Sequence, residues 1–347
     1  MEFDLKSLVR PNIWGLEPYK CARSEFSGQA SVWLDANESA FNEPYNRYPD
    51  PLQHEVKQRL SAIKGVAPDH IFLGVGSDEC IDMVYRVFCR PGTDRVVAIA
   101  PSYGMYEVCA GVNDVQYTRV PLLDDFSLDA EALHRALPGA KVLWLCSPNN
   151  PTGNAFPVDE MVALCRGFAG IVVVDEAYID FSGQPSMTAW LDRLPNLVVL
   201  QTLSKAWGSA AVRLGIAYAS PEIIGIFNKV KYPYNVSLLA QQYALRRLAE
   251  HAKVQAEVSA TLERRSSLIE GLRSLPQVLH IYRTDANFVL VRVTDADGIY
   301  AHLRDRGIIV RNRNSVEKCL GCLRITVGTQ QENDELIKAI EDYGRKQ

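Results

Sequence analysis

Hydrophobic and polar residues follow two repeating patterns along most of this chain. From residue 51 onward, segments with helical spacing such as LQHEVKQRLSAIK (52–64) alternate with short, almost wholly apolar runs such as RVVAIA (95–100) and IVVV (171–174). Strands that are apolar on both sides are typical of a parallel sheet covered by helices on both faces. The pattern therefore predicts an α/β fold with a mostly parallel sheet at its centre.

The pattern changes near both ends of the chain, which predicts three regions. Residues 1–47 contain several prolines and no hydrophobic period, so we expect an arm that packs on the small domain or on a partner subunit. Residues 48–236 carry the alternation and form a large domain. From 237 a long helical tract leads to strand-like runs such as NFVLVRV (287–293) and LRITV (323–327), which predicts a small α+β domain over 237–347.

Charge and hydropathy narrow the class of protein. The formal net charge of −4 argues against nucleic acid as a main partner. No apolar run approaches the roughly 20 residues that a membrane helix needs, so no membrane partner is expected. The first residues, MEFDLKSLVR, lack the apolar segment of a signal peptide, which favours a cytoplasmic location.

The eight cysteines favour reduced thiols in apolar cores rather than a metal site. Cys319 and Cys322 form a C-x-x-C, but a zinc ribbon needs a second such pair, and the chain has none. The six histidines also lack metal-ligand spacing. We therefore predict no metal, and the role of this cysteine pair stays open.

A lysine follows one of the predicted buried strands. Lys205 comes shortly after the apolar run Leu197–Gln201. An ammonium ion is costly to bury, and the neutral amine is a nucleophile that condenses with aldehydes. Taken by itself, Lys205 is more simply interpreted as a surface lysine just beyond a strand. The residues at the other strand ends change that interpretation.

Those strand ends carry groups that suit one ligand, an aromatic aldehyde phosphate. Ligands of doubly wound sheets bind at the carboxyl ends of the strands. Lys205 would hold the aldehyde covalently and Asp175 would pair with a ring nitrogen, as expected of a pyridoxal phosphate site. The phosphate would lie at a helix N-terminus near an arginine. The remaining assignments are Gly76, Ser77, Asp78, Thr202, Ser204 and Arg213 around the phosphate, Tyr103 stacked on the ring, and Asn150 and Tyr178 at the ring hydroxyl.

Two other kinds of site fit the sequence less well. The run GVGSDE (74–79) is not a G-x-G-x-x-G, so a dinucleotide site is weakly supported. Asp175 and Glu176 after a strand could belong to a Walker-B-like metal site, but the chain has no G-x-x-x-x-G-K-[ST]. Each residue alone is more often structural than functional, and only their order across five strand ends makes the aldehyde site specific.

Three motifs in this order resemble the fold type I pyridoxal phosphate aminotransferases. They are SPNNPTG (147–153), VDEAY (174–178) and SKAWGSAAVRLG (204–215). Further segments narrow the resemblance to the histidinol-phosphate aminotransferase family, over essentially the whole chain: PYKCAR (18–23), LDANES (34–39), NRYPD (46–50), PSYGMY (101–106) and GCLRITVGT (321–329). The resemblance implies a seven-stranded, mostly parallel sheet between helices, a smaller α+β domain, and pyridoxal 5'-phosphate as cofactor.

The resemblance also implies roles for residues that the pattern does not single out. Tyr48 matches a tyrosine that reaches the cofactor phosphate of the neighbouring subunit, which implies a homodimer with shared active sites. Arg324 matches the arginine that binds an amino acid's carboxylate. Arg311 and Tyr19 match groups that hold a substrate phosphate, and Asn37 in LDANES is assigned to the substrate. The catalytic assignments are Lys205, Asp175 and Tyr178.

The family's reaction is the expected activity. It is a ping-pong transamination in histidine biosynthesis that interconverts L-histidinol phosphate and 2-oxoglutarate with imidazole acetol phosphate and L-glutamate. The alternatives are an aromatic or broad-specificity aminotransferase, a threonine-phosphate decarboxylase, and, from another class, a pyridoxal-binding regulator or a silent relative. The sequence departs from the family pattern in two places. It has Trp207, Ser209 and Ala211 at positions where relatives often have Phe, Leu and Gly, and its segment LDANESAFN lacks the usual Asn-Pro-Phe-Gly ending.

Overall fold

A seven-stranded sheet forms the centre of the large part of the chain. The computed structural model describes residues 3–21 and 30–345. The strands are β1 Ile71–Val75, β2 Arg95–Ala100, β3 Gln116–Pro121, β4 Val142–Cys146, β5 Ile171–Asp175, β6 Leu197–Thr202 and β7 Leu214–Tyr218, in the spatial order β1-β7-β6-β5-β4-β2-β3. Only β7 runs antiparallel to its neighbours. The mostly parallel sheet predicted from the hydrophobic pattern is confirmed.

Helices cover both faces of this sheet. Along β5, Val172 and Val174 face one hydrophobic core, whereas Ile171 and Val173 face the other. This explains the wholly apolar strands, because alternate side chains of each strand are buried on opposite sides. The helices before residue 237 are α1 Leu5–Leu8, α2 Pro11–Trp14, α3 His54–Lys64, α4 Gly76–Phe88, α5 Met105–Val112, α6 Ala130–Ala136, α7 Val158–Gly167 and α8 Pro221–Val230.

The C-terminal part forms a smaller antiparallel sheet with its own core. Its strands are β8 Val278–Ile281, β9 Phe288–Val293, β10 Arg311–Asn312 and β11 Cys322–Thr326, in the order β10-β11-β9-β8. The helices of this part are α9 Leu238–Ala249, α10 His251–Arg273, α11 Ala296–Asp305 and α12 Gln330–Gly344. The last three pack with the small sheet or lead to it. Leu268, Ile299 and Ile340 lie in a core separate from those of the large sheet. The boundaries at residues 47 and 236 stay predictions.

Two details of the C-terminal part differ from the sequence pattern. The single long helical tract is broken at Glu250, whose backbone (φ −88, ψ 24) ends α9 and precedes α10. The strand expected at GIIVR is reduced to β10, two residues long. The helical spacing of apolar residues continues across the break at Glu250, because α9 and α10 both pack apolar residues against the rest of the protein. The spacing therefore does not reveal the break.

The first described residues form short helices that the sequence pattern does not predict. The Asp4 side chain accepts a hydrogen bond of 3.1 Å from the N–H of Lys6 and so caps α1. Leu8 and Val9 are buried in a core of the large sheet, and the N–H of Arg10 donates to the Val87 carbonyl at 3.0 Å. This part of the arm therefore lies on the large body of the chain. Residues 22 and 23 of the PYKCAR motif lie outside the described residues.

The cysteines of the described chain are all free thiols in buried positions. Cys319 and Cys322 are fully buried, and burial raises the pKa of Cys319 to about 12. Such a thiol is protonated and unreactive at neutral pH. Over residues 3–21 and 30–345, no cluster of three metal-ligating side chains is found, and no helix has the length and apolarity to cross a membrane.

Candidate active site

A cavity of about 780 Å³ lies where the carboxyl ends of the large sheet meet the small sheet. Parallel strands bring their carboxyl ends to one edge, so groups that are far apart in sequence meet there. Most of the residues singled out in the sequence line this cavity, namely Ser77, Asp78, Tyr103, Asn150, Asp175, Tyr178, Thr202, Ser204, Lys205, Arg213, Arg311 and Arg324. The cavity is therefore the candidate active site.

Lys205 reaches the cavity from the turn that follows β6. Desolvation lowers the pKa of its ammonium group, and the positive charge of Arg324 lowers it further, whereas Asp175 acts in the opposite direction. The ammonium nitrogen lies 5.6 Å from the centre of the Tyr178 ring. A lysine with a lowered pKa is more often neutral, as a nucleophile or a proton acceptor must be.

Asp175 is the last residue of β5, and it lines the cavity. It is 2% exposed, and its two oxygens accept hydrogen bonds from the Tyr106 hydroxyl at 2.7 Å and the Ala177 N–H at 3.0 Å. Burial raises the pKa of this carboxyl, and the two hydrogen bonds oppose that rise. A buried carboxylate beside an open cavity suits a cationic partner within the cavity, because pairing offsets the cost of desolvation.

The turn between β1 and α4 brings an arginine close to the start of a 13-residue helix. Gly76 has φ +74, and a Cβ there would lie 2.5 Å from a guanidinium nitrogen of Arg213. A Cβ on Gly215 would lie 2.2 Å from the Ser77 nitrogen, so β7 also approaches this turn closely. Arg213 pairs with Asp78 at 3.2 Å beside the start of this helix. Backbone donors and a guanidinium at one helix N-terminus are suited to a phosphate.

Asn150 and Tyr178 lie together on the side of the cavity nearest the small sheet. The Asn150 side-chain nitrogen is 3.4 Å from the Tyr178 hydroxyl, and its side-chain oxygen accepts a hydrogen bond from Arg324. Both residues are 7% exposed. Burial raises the pKa of the Tyr178 hydroxyl, so this phenol stays protonated at neutral pH and can donate a hydrogen bond. Asn150 thus joins a group from the large sheet to an arginine of the small sheet.

Three arginines of the small sheet face the same cavity. Arg311 and Arg324 are directly opposite each other on β10 and β11, and Arg313 follows two residues after Arg311 on the same side. In the described chain no carboxylate forms a salt bridge with any of them. Burial and the charges of Arg324 and Arg311 lower the pKa of Arg313 to about 10. Like charges placed opposite one another are unfavourable, so the arrangement suits anionic ligands.

Four predicted residues do not line the cavity. Gly76 lies beside it and donates its N–H to the Arg213 carbonyl at 2.9 Å. Tyr48 and Asn37 line a separate cavity of about 520 Å³, where Tyr48 stacks on Tyr234 with ring centroids 4.4 Å apart. Tyr19 is 75% exposed. Within one chain these three residues do not line the cavity, and their assigned roles stay predictions.

The comparisons with known proteins agree with this geometry. The model of the aminotransferase class I and II family matches residues 22–340. The histidinol-phosphate aminotransferase of Parabacteroides distasonis is 56% identical over 340 residues, covering 98% of this chain and 99% of that protein. The one from Bacteroides fragilis is 55% identical over 341 residues, with 98% and 99% covered. The chain belongs to the histidinol-phosphate aminotransferases of this family.

Solved structures of histidinol-phosphate aminotransferases share the fold of this chain. The Clostridium acetobutylicum histidinol-phosphate aminotransferase superposes with a TM-score of 0.81 at 20% identity, covering 87% of this chain and 92% of that one. The Sinorhizobium meliloti enzyme, solved with pyridoxal-5'-phosphate, gives a TM-score of 0.79 at 25% identity with 90% of each chain covered. The fold is that of the fold type I aminotransferases, and pyridoxal phosphate is the cofactor.

The cavity fits that cofactor on three observations. Gly76 and Gly215 have no side chains, which lets the Arg213 guanidinium and strand β7 approach the helix N-terminus closely. The buried Nε atoms of Arg313 and Arg324 have no hydrogen-bond partner within the described chain, so donors remain available for an anion. Lys205 and Asp175, an amine of lowered pKa and a buried carboxylate, line the same cavity. The three parts of the cofactor therefore each have a matching group: the helix N-terminus and Arg213 for the phosphate, Lys205 for the carbonyl, and Asp175 for a protonated ring nitrogen.

Several cavity residues are missing from the sequence prediction. Arg313 and Ser102 line the cavity, and Tyr106 bonds to Asp175 from behind it. Arg313 has the same spacing from Arg311 that places side chains on one face of a strand, so an i, i+2 pattern at GIIVRNR was an available signal. Tyr106 is the second tyrosine of PSYGMY, three residues after Tyr103. Nothing in the local pattern distinguishes Ser102 from an ordinary turn residue.

Proposed function

We propose that this chain transfers an amino group from L-glutamate to imidazole acetol phosphate, forming L-histidinol phosphate and 2-oxoglutarate, and catalyses the reverse reaction. The observation that carries the proposal is a single cavity that holds Lys205, Asp175 and the arginines of β10 and β11. Relatives named histidinol-phosphate aminotransferase, 42–56% identical over almost the whole chain, support the choice of substrate.

Lys205 would serve as the base. Bound pyridoxal phosphate supplies a carbonyl that takes up the amino group and a ring that accepts the electron pair when the substrate α-carbon loses its proton. The Lys205 amine would remove that proton and deliver it to the neighbouring carbon. Its lowered pKa supports this role, because a base that is fully protonated at working pH cannot accept a proton.

Asp175, Asn150 and Tyr178 would orient the ring. The Asp175 carboxylate would hold a proton on the ring nitrogen, and Asn150 and Tyr178 would donate hydrogen bonds to the ring hydroxyl oxygen. The backbone N–H groups of Ser77 and Asp78 and the side chains of Thr202, Ser204 and Arg213 would hold the phosphate, next to Gly76. Ser204 and Thr202 are already joined, since the Ser204 N–H donates to the Thr202 hydroxyl at 3.0 Å.

The arginines explain how one cavity accepts two unlike substrates. Glutamate offers two carboxylates, whereas histidinol phosphate offers a phosphate and no carboxylate. Arg324 would bind the α-carboxylate of glutamate, and Arg311 would bind the substrate phosphate or the second carboxylate. Their position directly opposite each other on β10 and β11 supports this division, because both reach the cavity from one sheet face.

Replacing each arginine should therefore affect the two half-reactions differently. We expect Arg324→Gln to lower kcat/KM for glutamate by about 10- to 100-fold, the value of hydrogen bonds to a charged group, with a smaller effect on histidinol phosphate. Arg311→Gln should lower kcat/KM for both, and more for histidinol phosphate because a phosphate carries more charge. Stopped-flow rates of each half-reaction measure this. Arg304→Gln, on the exposed side of α11, is the control, and equal losses in both variants would contradict the assignment.

A half-reaction tests the proposed substrate directly. Holoenzyme mixed with L-histidinol phosphate should lose its visible absorbance as the cofactor takes up the amino group, and 2-oxoglutarate should restore it. Phenylalanine and O-phospho-L-threonine are the comparison substrates. A kcat/KM for phenylalanine equal to that for histidinol phosphate would favour a broad-specificity aminotransferase, and release of carbon dioxide from phosphothreonine would favour a decarboxylase.

We also propose that the enzyme is a cytoplasmic homodimer. Leu34, Phe41, Tyr232 and Leu239 are large apolar residues with exposed side chains, and Leu239 lines the same cavity as Tyr48. Exposed apolar surface is typical of an interface. Tyr48 would reach the partner's cofactor phosphate from there. Eight free, buried thiols support a reducing compartment. Sedimentation equilibrium should give about twice the chain mass of 38.7 kDa, and the mass of one chain would refute the dimer.

A further inference from the structure

Tyr106 lies behind the cavity and contacts Asp175, whose carboxylate lines the cavity. Its hydroxyl donates a hydrogen bond of 2.7 Å to Asp175, and Tyr106 is fully buried. Tyr106 does not line the cavity, so it does not reach substrate or cofactor. In the described chain, this is the only side-chain hydrogen bond that Asp175 receives. Short O–H···O⁻ bonds between buried groups are among the strongest that side chains form.

A column of stacked rings holds that hydroxyl in place. The Tyr106 ring stacks on Trp144 with centroids 4.8 Å apart, and Trp144 stacks on Tyr85 at 5.4 Å. The Tyr85 hydroxyl donates to the backbone carbonyl of Tyr106 at 2.6 Å. All three residues are fully buried, so the Tyr106 ring has no alternative position open to it. The column therefore directs one hydroxyl at Asp175.

We propose that Tyr106 is a positioning residue that holds the Asp175 carboxylate in place and stabilises its negative charge for the ring nitrogen of the bound cofactor. The inference rests on the role proposed above for Asp175. Without this donor, one carboxylate oxygen would be buried with no hydrogen bond from a side chain. An unsatisfied buried anion is costly and favours the protonated acid, which cannot stabilise a protonated ring nitrogen.

The charges around Asp175 make this donor important. The other ionisable groups that act on it are Asp78, Lys205, Tyr103, Tyr178, Cys80 and Cys146. Lys205 is the only cation among them, and it is engaged with the substrate carbon in the proposed reaction. Burial is the largest influence and raises the pKa of Asp175, and the Tyr106 hydrogen bond is the first influence that lowers it.

Two matched variants test the proposal in the apoenzyme. Tyr106→Phe and Tyr85→Phe each remove one buried hydroxyl from the same column and keep the rings. The folded-state pKa of Asp175 is raised, so its contribution to stability is present at low pH and is lost as the pH rises through that pKa. Tyr106→Phe raises the pKa further, so its loss of stability relative to wild type should grow as the pH rises through the folded-state pKa of Asp175. For Tyr85→Phe the loss should not change with pH.

The affinity for the cofactor gives a second measurement. We expect Tyr106→Phe to weaken pyridoxal phosphate binding by about tenfold or more, measured by fluorescence titration of the apoenzyme, with a much smaller effect for Tyr85→Phe. If both variants show the same pH dependence and the same affinity, Tyr106 only fills space and the proposal is wrong. Neither measurement uses a substrate, so an error in the proposed reaction would leave both results unchanged.

A third variant decides the case in which Tyr106→Phe does not fold. Asp175→Asn removes the charge, so the double variant Tyr106→Phe/Asp175→Asn should fold if the defect of the single variant came from an unpaired carboxylate. A double variant that also fails to fold would place the defect in packing of the ring column and overturn the proposal.

Discussion

Replacing Lys205 with alanine is expected to lower the rates of both half-reactions by about 10³-fold, the usual contribution of a positioned base. In the wild-type protein, desolvation and the charge of Arg324 lower the pKa of the Lys205 ammonium, so the neutral amine is accessible. Alanine can neither accept the substrate proton nor hold the aldehyde. Stopped-flow rates with glutamate and with histidinol phosphate measure the loss.

A second lysine provides the matched control for this variant. Lys229 lies on α8, where its ammonium donates to the Trp14 carbonyl at 3.4 Å, away from the cavity. Lys229→Ala should therefore retain the wild-type rate. Added methylamine should restore part of the activity of Lys205→Ala, because a small amine can occupy the space of the missing side chain. A Lys205→Ala enzyme within about tenfold of wild type would exclude Lys205 as the base.

Asp175→Asn is expected to have an effect of similar size, about 10³-fold on both half-reactions, the cost of removing one partner of a buried charge pair. The amide keeps the size of the carboxylate and can still accept from the Ala177 N–H. It has no negative charge to hold a proton on the ring nitrogen, so the ring accepts the electron pair poorly. Half-reaction rates and the visible spectrum of the holoenzyme measure the change.

The next residue in the chain is the control for Asp175. Glu176 is also buried, and it accepts hydrogen bonds from Ser186, Met187 and Gln201 on the side away from the cavity. Burial raises its pKa to about 7. Glu176→Gln should leave the half-reactions within about tenfold of wild type, because Asp175 lines the cavity and Glu176 does not. Equal losses from Asp175→Asn and Glu176→Gln would show that the defect is structural.

The groups at the strand ends could be predicted because local sequence and topology agree there. The apolar runs before Asp175 and Lys205 identify β5 and β6, and parallel strands bring their carboxyl ends to one edge. The resemblance was needed for Arg311 and Arg324. β10 contains only two residues, which is too short for any hydrophobic period to reveal that these two arginines face each other.

Other features of the site depend on contacts between elements that are distant in sequence. The Tyr106 hydroxyl meets Asp175 across 69 positions, through a column of rings from α4, β4 and α5. Arg324 bonds to Asn150 across 174 positions, from one sheet to the other. Neither contact has a local signature, because each depends on how whole elements pack.

The class of fold, the edge of the sheet that carries the chemistry, and the family could all be predicted without a structure, because hydrophobic periods and ordered motifs are properties of short segments. Only the folded chain shows that Tyr106 contacts Asp175, that Arg324 bonds to Asn150, and that the tract from residue 237 breaks at Glu250. These features depend on how elements that are distant in sequence pack together, because that packing brings their side chains within hydrogen-bond distance.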